Sequence, residues 1–190
     1  MEYPSKTFFT KYSSAEANLF RKACFEITSV AIKLVRVNIN TTSRYDEHIA
    51  QRLGSLVIDN ERLDMNTFVE NTPIRVDIEG PKTFTTEDIP EIPWFLPTGD
   101  HVPIMELRKG EKLNIDLYLG KGTSYDHVKW RPFSVCTFKE ANGGHEIYVE
   151  SNGILSPETI INRANGLMKK AAERQPTTMF FNFIVPEKYK

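Results

Sequence analysis

The chain is poor in cysteine. Cys24 and Cys136 are its only two cysteines in 190 residues, and they form no Cys-x-x-Cys motif. Because both lie within apolar runs, two buried thiols are favoured over a disulfide bond or a zinc site. The chain also has no run of about 18 or more apolar residues and no apolar segment at its beginning, so we expect neither a membrane-spanning helix nor secretion.

An excess of charge of one sign is also missing. The 24 lysines and arginines are balanced by 25 aspartates and glutamates, which gives a net charge of −1. A protein that binds nucleic acid on its own typically has a basic surface. We therefore expect no direct contact with DNA. A hydrophobic content of 40% with 26% charged residues is typical of a soluble globular protein.

Groups of residues typical of catalytic or metal sites are absent as well. His48, His101, His127 and His145 are scattered, with no partner at the spacing of a metal site. The segment 120–124 lacks the first glycine of a phosphate-binding loop, and no helix pattern follows it. We expect no catalytic residue, no cofactor and no metal ion.

Two amphipathic helices are predicted near the two ends of the chain. The first runs from about 15 to 26 and begins at a capping box formed by Ser13 and Glu16. The second begins at Ser156-Pro157. Apolar residues recur at intervals of three and four in both helices: Phe20, Ala23, Cys24 and Ile27 in the first, and Ile160, Ala164, Leu167, Met168 and Ala171 in the second. Each stripe can be buried either by a sheet of its own domain or by a partner protein.

The residues between the two helices favour β structure, which makes the predicted fold class α+β. A short helix at 46–53 interrupts the strands, 59–73 is predicted to be a loop, and the prolines between 88 and 103 exclude a helix there. Alternating or apolar runs predict the strands, at 6–11, 31–40, 55–58, 74–78, 113–119, 131–138 and 146–150, and a further apolar segment at 180–185.

The segment from Asn40 to Gly54 carries the most specific signal in the chain. Its second half reads Asp-Glu-His-Ile-Ala-Gln-Arg-Leu-Gly. This segment resembles the Asp-Glu-x-Ile-Ala-His-Arg-Leu-Gly block of the α-like assembly subunits of multisubunit DNA-dependent RNA polymerases, such as the archaeal D subunit and the third-largest subunit of eukaryotic polymerase II. Three other segments resemble blocks of the same family in the same order: 17–32, 80–132 and 149–158.

The resemblance implies a discontinuous domain. Residues 1–35 and 145–190 would form an α-like dimerisation domain, with two amphipathic helices on a sheet, and residues 36–144 an inserted β-rich domain. The family pairs with a smaller α-like subunit through the helices of the dimerisation domain. The resulting heterodimer docks the two large catalytic subunits.

The same resemblance implies two sets of interface residues. The dimer interface would contain the apolar residues Phe20, Ala23, Cys24, Ile27, Ile160, Ala164, Leu167, Met168 and Ala171. The interface with the large subunits would contain the polar and aromatic residues Asn18, Arg21, Lys22, Asp46, Glu47, Arg52, His127, Lys129 and Trp130.

The chain also departs from the family. Relatives often carry cysteine ligands for zinc where 59–73 lies, and this chain has none there. We expect a trimmed form without the second C-terminal domain of bacterial α subunits, as a compact polymerase of a large DNA virus would have. Its location would be the nucleus, the cytoplasm or a virion. Two alternatives remain open: an unrelated small α+β enzyme, and a free-standing adaptor that binds a polymerase.

Overall fold

The computed structural model describes residues 3–63, 69–70 and 72–174, and these contain both helices and strands. The predicted α+β class is confirmed. The elements are β1 (Ser5–Thr10), α1 (Ser14–Phe25), β2 (Ser29–Asn40), α2 (Asp46–Gly54), β3 (Pro73–Glu79), β4 (Lys82–Thr85), β5 (Pro103–Leu107), β6 (Lys112–Gly122), β7 (Phe133–Ala141), β8 (Gly144–Ser151) and α3 (Pro157–Arg174). The predicted apolar segment at 180–185 lies outside the described residues.

One antiparallel sheet joins the beginning of the chain to its last quarter. Its strand order is β1-β8-β7, and α1 and α3 pack against each other and on this sheet. Their buried apolar side chains form what we call the terminal core: Phe20, Ala23, Cys24, Ile27, Phe133, Ile147, Val149, Ile154, Leu155, Ile160 and Ala164. The predicted division at 35 and 145 stays a prediction, although the sheet places β7 together with the terminal strands.

Local sequence signals explain where several elements begin and end. The Ser13 hydroxyl accepts a hydrogen bond from the Glu16 amide at 3.3 Å, and the Glu16 carboxylate accepts one from the Ser13 amide at 2.8 Å. This is the predicted capping box of α1. Asn142 and Gly143 join β7 to β8 with φ angles of 48° and 76°. Two consecutive positive φ angles are typical of a tight hairpin turn.

A second antiparallel sheet has the order β2-β6-β3, and its middle strand β6 is the most buried. The hairpin of β4 and β5, the helix α2 and the irregular segment after β4 complete a second cluster of buried residues. We call it the central core: Val30, Ile32, Ile49, Leu53, Ile58, Val76, Ile78, Phe84, Ile89, Ile92, Trp94, Ile104, Leu107, Leu113, Ile115, Leu117 and Leu119.

The prediction of a strand at 55–58 is wrong. Ile58 forms only an isolated bridge with Trp94. The Asp59 amide donates to the Pro93 carbonyl at 2.7 Å, and the Phe95 amide to the Val57 carbonyl at 3.0 Å. Because Pro93 has no N–H group, it cannot donate a hydrogen bond to extend the ladder.

Asn60 connects three parts of the chain. Its side chain is 3% exposed and accepts from the Val30 amide at 2.6 Å, while its amide group donates to the carbonyls of Val30 and Ile58 at 3.1 and 2.9 Å. Its backbone amide donates to the Ile154 carbonyl at 2.8 Å. The start of β2 is thereby tied to the segment that leads into α3.

The substitution Asn60→Ala should lower the free energy of unfolding by about 3 kcal/mol or more, because it leaves three buried backbone groups without partners. Urea unfolding followed by circular dichroism measures the change. Asn162→Ala is the matched control, since Asn162 is exposed on α3 and should change the stability by less than about 0.5 kcal/mol. Equal effects of the two substitutions would contradict the role given to Asn60.

Candidate interaction surfaces

The helix α2 buries one face and exposes the other. Ile49 and Leu53 lie in the central core at positions i and i+4. The exposed face carries Asp46, Glu47 and Arg52, which sequence analysis assigned to a large-subunit interface. Glu47 lies opposite Ile49 and Leu53, whereas Asp46 and Arg52, each three positions from Ile49, lie at the edges of the buried side. We call this exposed face the α2 surface. It is a charged surface on a helix that the central core holds in place.

The loop before α2 is organised by Asn40. Its side-chain amide donates to the Arg44 carbonyl at 2.8 Å and to the Asp46 carboxylate at 2.7 Å. Its side-chain oxygen accepts from the amide and the hydroxyl of Thr42 at 3.0 and 2.7 Å. A single side chain therefore sets the path of the loop and orients the first turn of α2.

A groove of about 460 Å³ runs between α2 and the hairpin of β4 and β5. Its lining carries charges of both signs, from Arg44, Arg52 and Arg108 and from Glu106 and Glu111. The Arg52 guanidinium donates to the carbonyl of Pro103 at 3.2 Å. Arg52 thus fastens α2 to β5 while its side chain remains exposed to a partner.

The loop between β6 and β7 is held together by its own polar groups. The Asp126 carboxylate accepts from the amide and the hydroxyl of Thr123 at 2.7 and 3.0 Å, and these bonds lower the pKa of Asp126. His127 Nδ1 accepts from the Lys129 amide at 3.1 Å. A short 3₁₀ helix follows at Val128–Trp130.

Lys129 and Trp130, two of the predicted large-subunit residues, both contact other parts of this chain. The Trp130 indole N–H donates to the Gly120 carbonyl at 2.9 Å, and its ring is buried against Gly122. Lys129 Nζ donates to the Ile32 carbonyl at 2.7 Å and lies 4.5 Å from the centre of the Trp130 ring. Burial lowers the pKa of Lys129.

The exposed apolar residues of this loop are Tyr125 and Val128, which sequence reasoning missed. Their side chains are 67% and 60% exposed, next to the exposed imidazole of His127. A tyrosine and a valine within a polar turn are a signal that could have been noticed, because such residues are usually covered when they stabilise a fold.

On α1, the predicted large-subunit residues lie on one side of the helix. The Arg21 guanidinium donates to the Asn18 side-chain oxygen at 2.8 Å, one turn earlier. Both residues are half-buried, and Lys22 is exposed. Arg21 is therefore partly engaged within the chain, and Lys22 faces solvent.

The structure does not bring the predicted large-subunit residues into one site. Ser29 at the start of β2 pairs with Gly122, and Asn40 at its end pairs with Leu113. The β6–β7 loop follows Gly122, and α2 follows Asn40. A 12-residue strand spans roughly 35–40 Å, so the loop and the α2 surface lie at opposite ends of β2.

The predicted dimer stripe is divided between the inside and the outside of the chain. Six of its nine residues are buried in the terminal core, because α1, α3 and the sheet cover one another. They are Phe20, Ala23, Cys24, Ile27, Ile160 and Ala164. Leu167 and Met168 are half-buried and Ala171 is exposed. Only these last three, in the second half of α3, offer apolar surface to a partner.

Within residues 3–63, 69–70 and 72–174, no three histidine, cysteine, aspartate or glutamate side chains are grouped as metal ligands are. His145 is buried and has two partners, the Tyr12 carbonyl 2.7 Å from Nδ1 and the Ser14 hydroxyl 3.3 Å from Nε2. This histidine joins β8 to the start of α1. None of the described helices has both the length and the apolar character needed to cross a membrane.

Comparison with known proteins finds archaeal relatives. The chain is 32% identical over 151 residues to "DNA-directed RNA polymerase subunit Rpo3" of Archaeoglobus fulgidus, covering 73% of this chain and 57% of that protein. The protein of the same name from Methanobrevibacter smithii is 30% identical over 131 residues, covering 63% of this chain and 48% of that protein. The one from Methanocaldococcus jannaschii is 29% identical over 152 residues, covering 78% of this chain and 75% of that protein. The chain spans about half the length of the first two relatives. No family model matches.

The contact between Gly122 and Trp130 generates a prediction. A Cβ atom at position 122 would lie 2.5 Å from Trp130 Cδ2, so Gly122→Ala should lower the free energy of unfolding by about 1–3 kcal/mol. Gly166→Ala is the control, because nothing lies within 4 Å of a Cβ atom there, and a helical alanine should raise the stability by about 0.5–1 kcal/mol. Chemical denaturation compares the two, and a neutral Gly122→Ala would show that the ring is not held against this strand.

Proposed function

Because this chain belongs to the family of α-like subunits of DNA-directed RNA polymerases, we propose that it is a non-catalytic assembly subunit of such an enzyme. It pairs with a smaller α-like subunit, and the pair docks the two largest subunits of the polymerase inside the cell. The observation that carries the proposal is the 32% identity over 151 residues to an archaeal polymerase subunit.

The proposed heterodimer contact lies on the second half of α3. Leu167 and Met168 pack on the terminal core with one side only, and Ala171 continues the same stripe into solvent. Interface cores are typically apolar and surrounded by polar residues. The exposed residues Lys169, Lys170 and Glu173 supply such a rim.

The α2 surface is the proposed contact with a large subunit. Its charged side chains project from a helix that Ile49 and Leu53 anchor in the central core, and Asn40 fixes the preceding loop. A charged surface on a rigid base selects a partner by charge complementarity. The positive and negative side chains of the adjacent groove fit a partner segment that carries charges of both signs.

The substitution Leu167→Asp should abolish pairing with the smaller α-like subunit of the same polymerase, because the interface would bury a carboxylate without a partner. Light scattering on the mixed proteins measures the mass of the complex. Asn162→Asp is the matched control: it adds the same charge to an exposed position on the other side of the helix, about 140° from Leu167 and about 180° from Ala171, and should leave pairing intact.

Circular dichroism must show that both variants keep the helical content of the original chain. Pairing by Leu167→Asp as tight as that of the unsubstituted chain would overturn the proposed dimer contact. A folded chain that stays monomeric with every candidate small subunit would overturn the assembly role itself.

The substitution Arg52→Ala should weaken association with the large subunits at least about 30-fold, since truncating a charged interface residue typically costs 2–5 kcal/mol. Its only described intrachain hydrogen bond is exposed, so the stability of the isolated chain should fall by no more than about 1 kcal/mol. Co-purification followed by titration measures the affinity. Arg62→Ala, at an exposed arginine outside the α2 surface, serves as the control, and equal affinities for the two variants would contradict the role of Arg52.

A further inference from the structure

The two cysteines of the chain lie side by side, although 112 positions separate them. Cys24 Sγ and Cys136 Sγ are 3.8 Å apart and share one hydrogen bond, and both thiols are free. Cys24 comes from α1 and Cys136 from β7. The fold, and not the local sequence, therefore creates this pair.

Each sulfur is held in place by its element. Cys24 is fully buried on the inner face of α1, one turn after Phe20. Cys136 pairs with Val149 of β8 and packs against the terminal core from β7, which is an edge strand. Cys136 is partly exposed. A disulfide requires a sulfur separation of about 2.0 Å, so the two sulfur atoms, now 3.8 Å apart, must approach each other by about 1.8 Å for the bond to close.

We propose that Cys24 and Cys136 form a reversible thiol–disulfide pair that responds to peroxide, with Cys136 as the attacking thiol and Cys24 as the resolving thiol. The bond would link α1 to β7 across the terminal core. This inference rests on the position of the two sulfur atoms and does not depend on the proposed function.

The reaction takes two steps and uses one hydrogen peroxide molecule. The Cys136 sulfur attacks one peroxide oxygen, so that an S–O bond forms, the O–O bond breaks and the departing hydroxide takes up the thiol proton as water. The Cys24 sulfur then attacks the Cys136 sulfur, forming the S–S bond and releasing the hydroxyl group with the Cys24 proton as a second water. The two thiols lose two electrons, and the peroxide gains them.

The environments of the two thiols indicate which cysteine reacts first with peroxide. The hydrogen bond with Cys24 lowers the pKa of Cys136, because a thiolate at Cys136 would accept a hydrogen bond from the Cys24 thiol, and the Arg21 guanidinium lowers it further. The same hydrogen bond and burial raise the pKa of Cys24. Cys136 is also the more accessible of the two. The thiolate is the nucleophile in such reactions, so Cys136 reacts first.

The disulfide should stabilise the chain. It would close a loop of more than a hundred residues, and a long loop loses much conformational entropy in the unfolded state when it is cross-linked. We expect the midpoint of thermal unfolding to rise by at least about 5 °C. Reduction with dithiothreitol should restore the original midpoint.

In the test, the folded and reduced full chain is treated with millimolar hydrogen peroxide. The chain is then unfolded in denaturant so that iodoacetamide alkylates any remaining thiol, and mass spectrometry measures the mass of the product. The expected product is a monomer that has lost two hydrogens and takes up no alkyl group. Cys24→Ser should instead stop at a sulfenic acid on Cys136, which a cyclic 1,3-dione traps. Cys136→Ser should keep an unmodified Cys24 thiol that is alkylated only after unfolding.

Cys24→Ala replaces Cys24→Ser if a buried hydroxyl prevents folding, and circular dichroism checks each variant. The proposal is overturned if the folded chain forms no intrachain disulfide, if the bond forms only between two chains, or if Cys136→Ser is oxidised at Cys24 as fast as the unsubstituted chain. Formation of the bond without a rise in the unfolding midpoint would overturn the expected stabilisation.

Discussion

Strand β1 is hydrogen-bonded to β8 from Ser5 opposite Glu150 to Thr10 opposite His145, and the remaining structure has to respect this pairing. The chain must leave this sheet after β1 and return to it at β7 and β8. The segment from β2 to β6 is therefore inserted between two parts of this sheet and needs its own buried residues, which form the central core. The side chain and backbone of Asn60 join the start of that inserted segment to the residues before α3. The two cores are therefore connected by buried hydrogen bonds as well as by the covalent backbone.

The elements that sequence reasoning located best depend on neighbours along the chain. The capping box at Ser13 and Glu16 and the alternation in β6 are both local patterns, and the structure contains them. The prediction of a strand at 55–58 is wrong because strand formation there depends on a partner that is distant in sequence. The segment that pairs with Ile58 contains Pro93, which has no amide hydrogen to continue the ladder.

For the candidate interaction surfaces too, sequence patterns do not reveal contacts between distant parts of the chain. Helical periodicity identified the apolar stripes, but it cannot tell whether α1 and α3 bury them against each other or against another protein. The structure encloses Phe20 and Ile160 and leaves Leu167 half-covered. Family resemblance identified Trp130, but it could not separate a residue that builds the loop from one that contacts a partner. The hydrogen bond from Trp130 to Gly120 and the exposure of Val128 make that distinction.

A subunit proposed to position larger subunits must hold its contact surfaces at a fixed separation. The α2 surface and the β6–β7 loop lie at opposite ends of β2, and β2 is paired with β6 along nearly its whole length. Leu113, Ile115 and Leu117 of β6 are fully buried in the central core, so bending this pair would open that core. Interiors as densely packed as proteins transmit displacement instead of absorbing it. A β2–β6 pair packed in this way would keep the two surfaces apart, as the proposed assembly role requires, and this needs no reactive group.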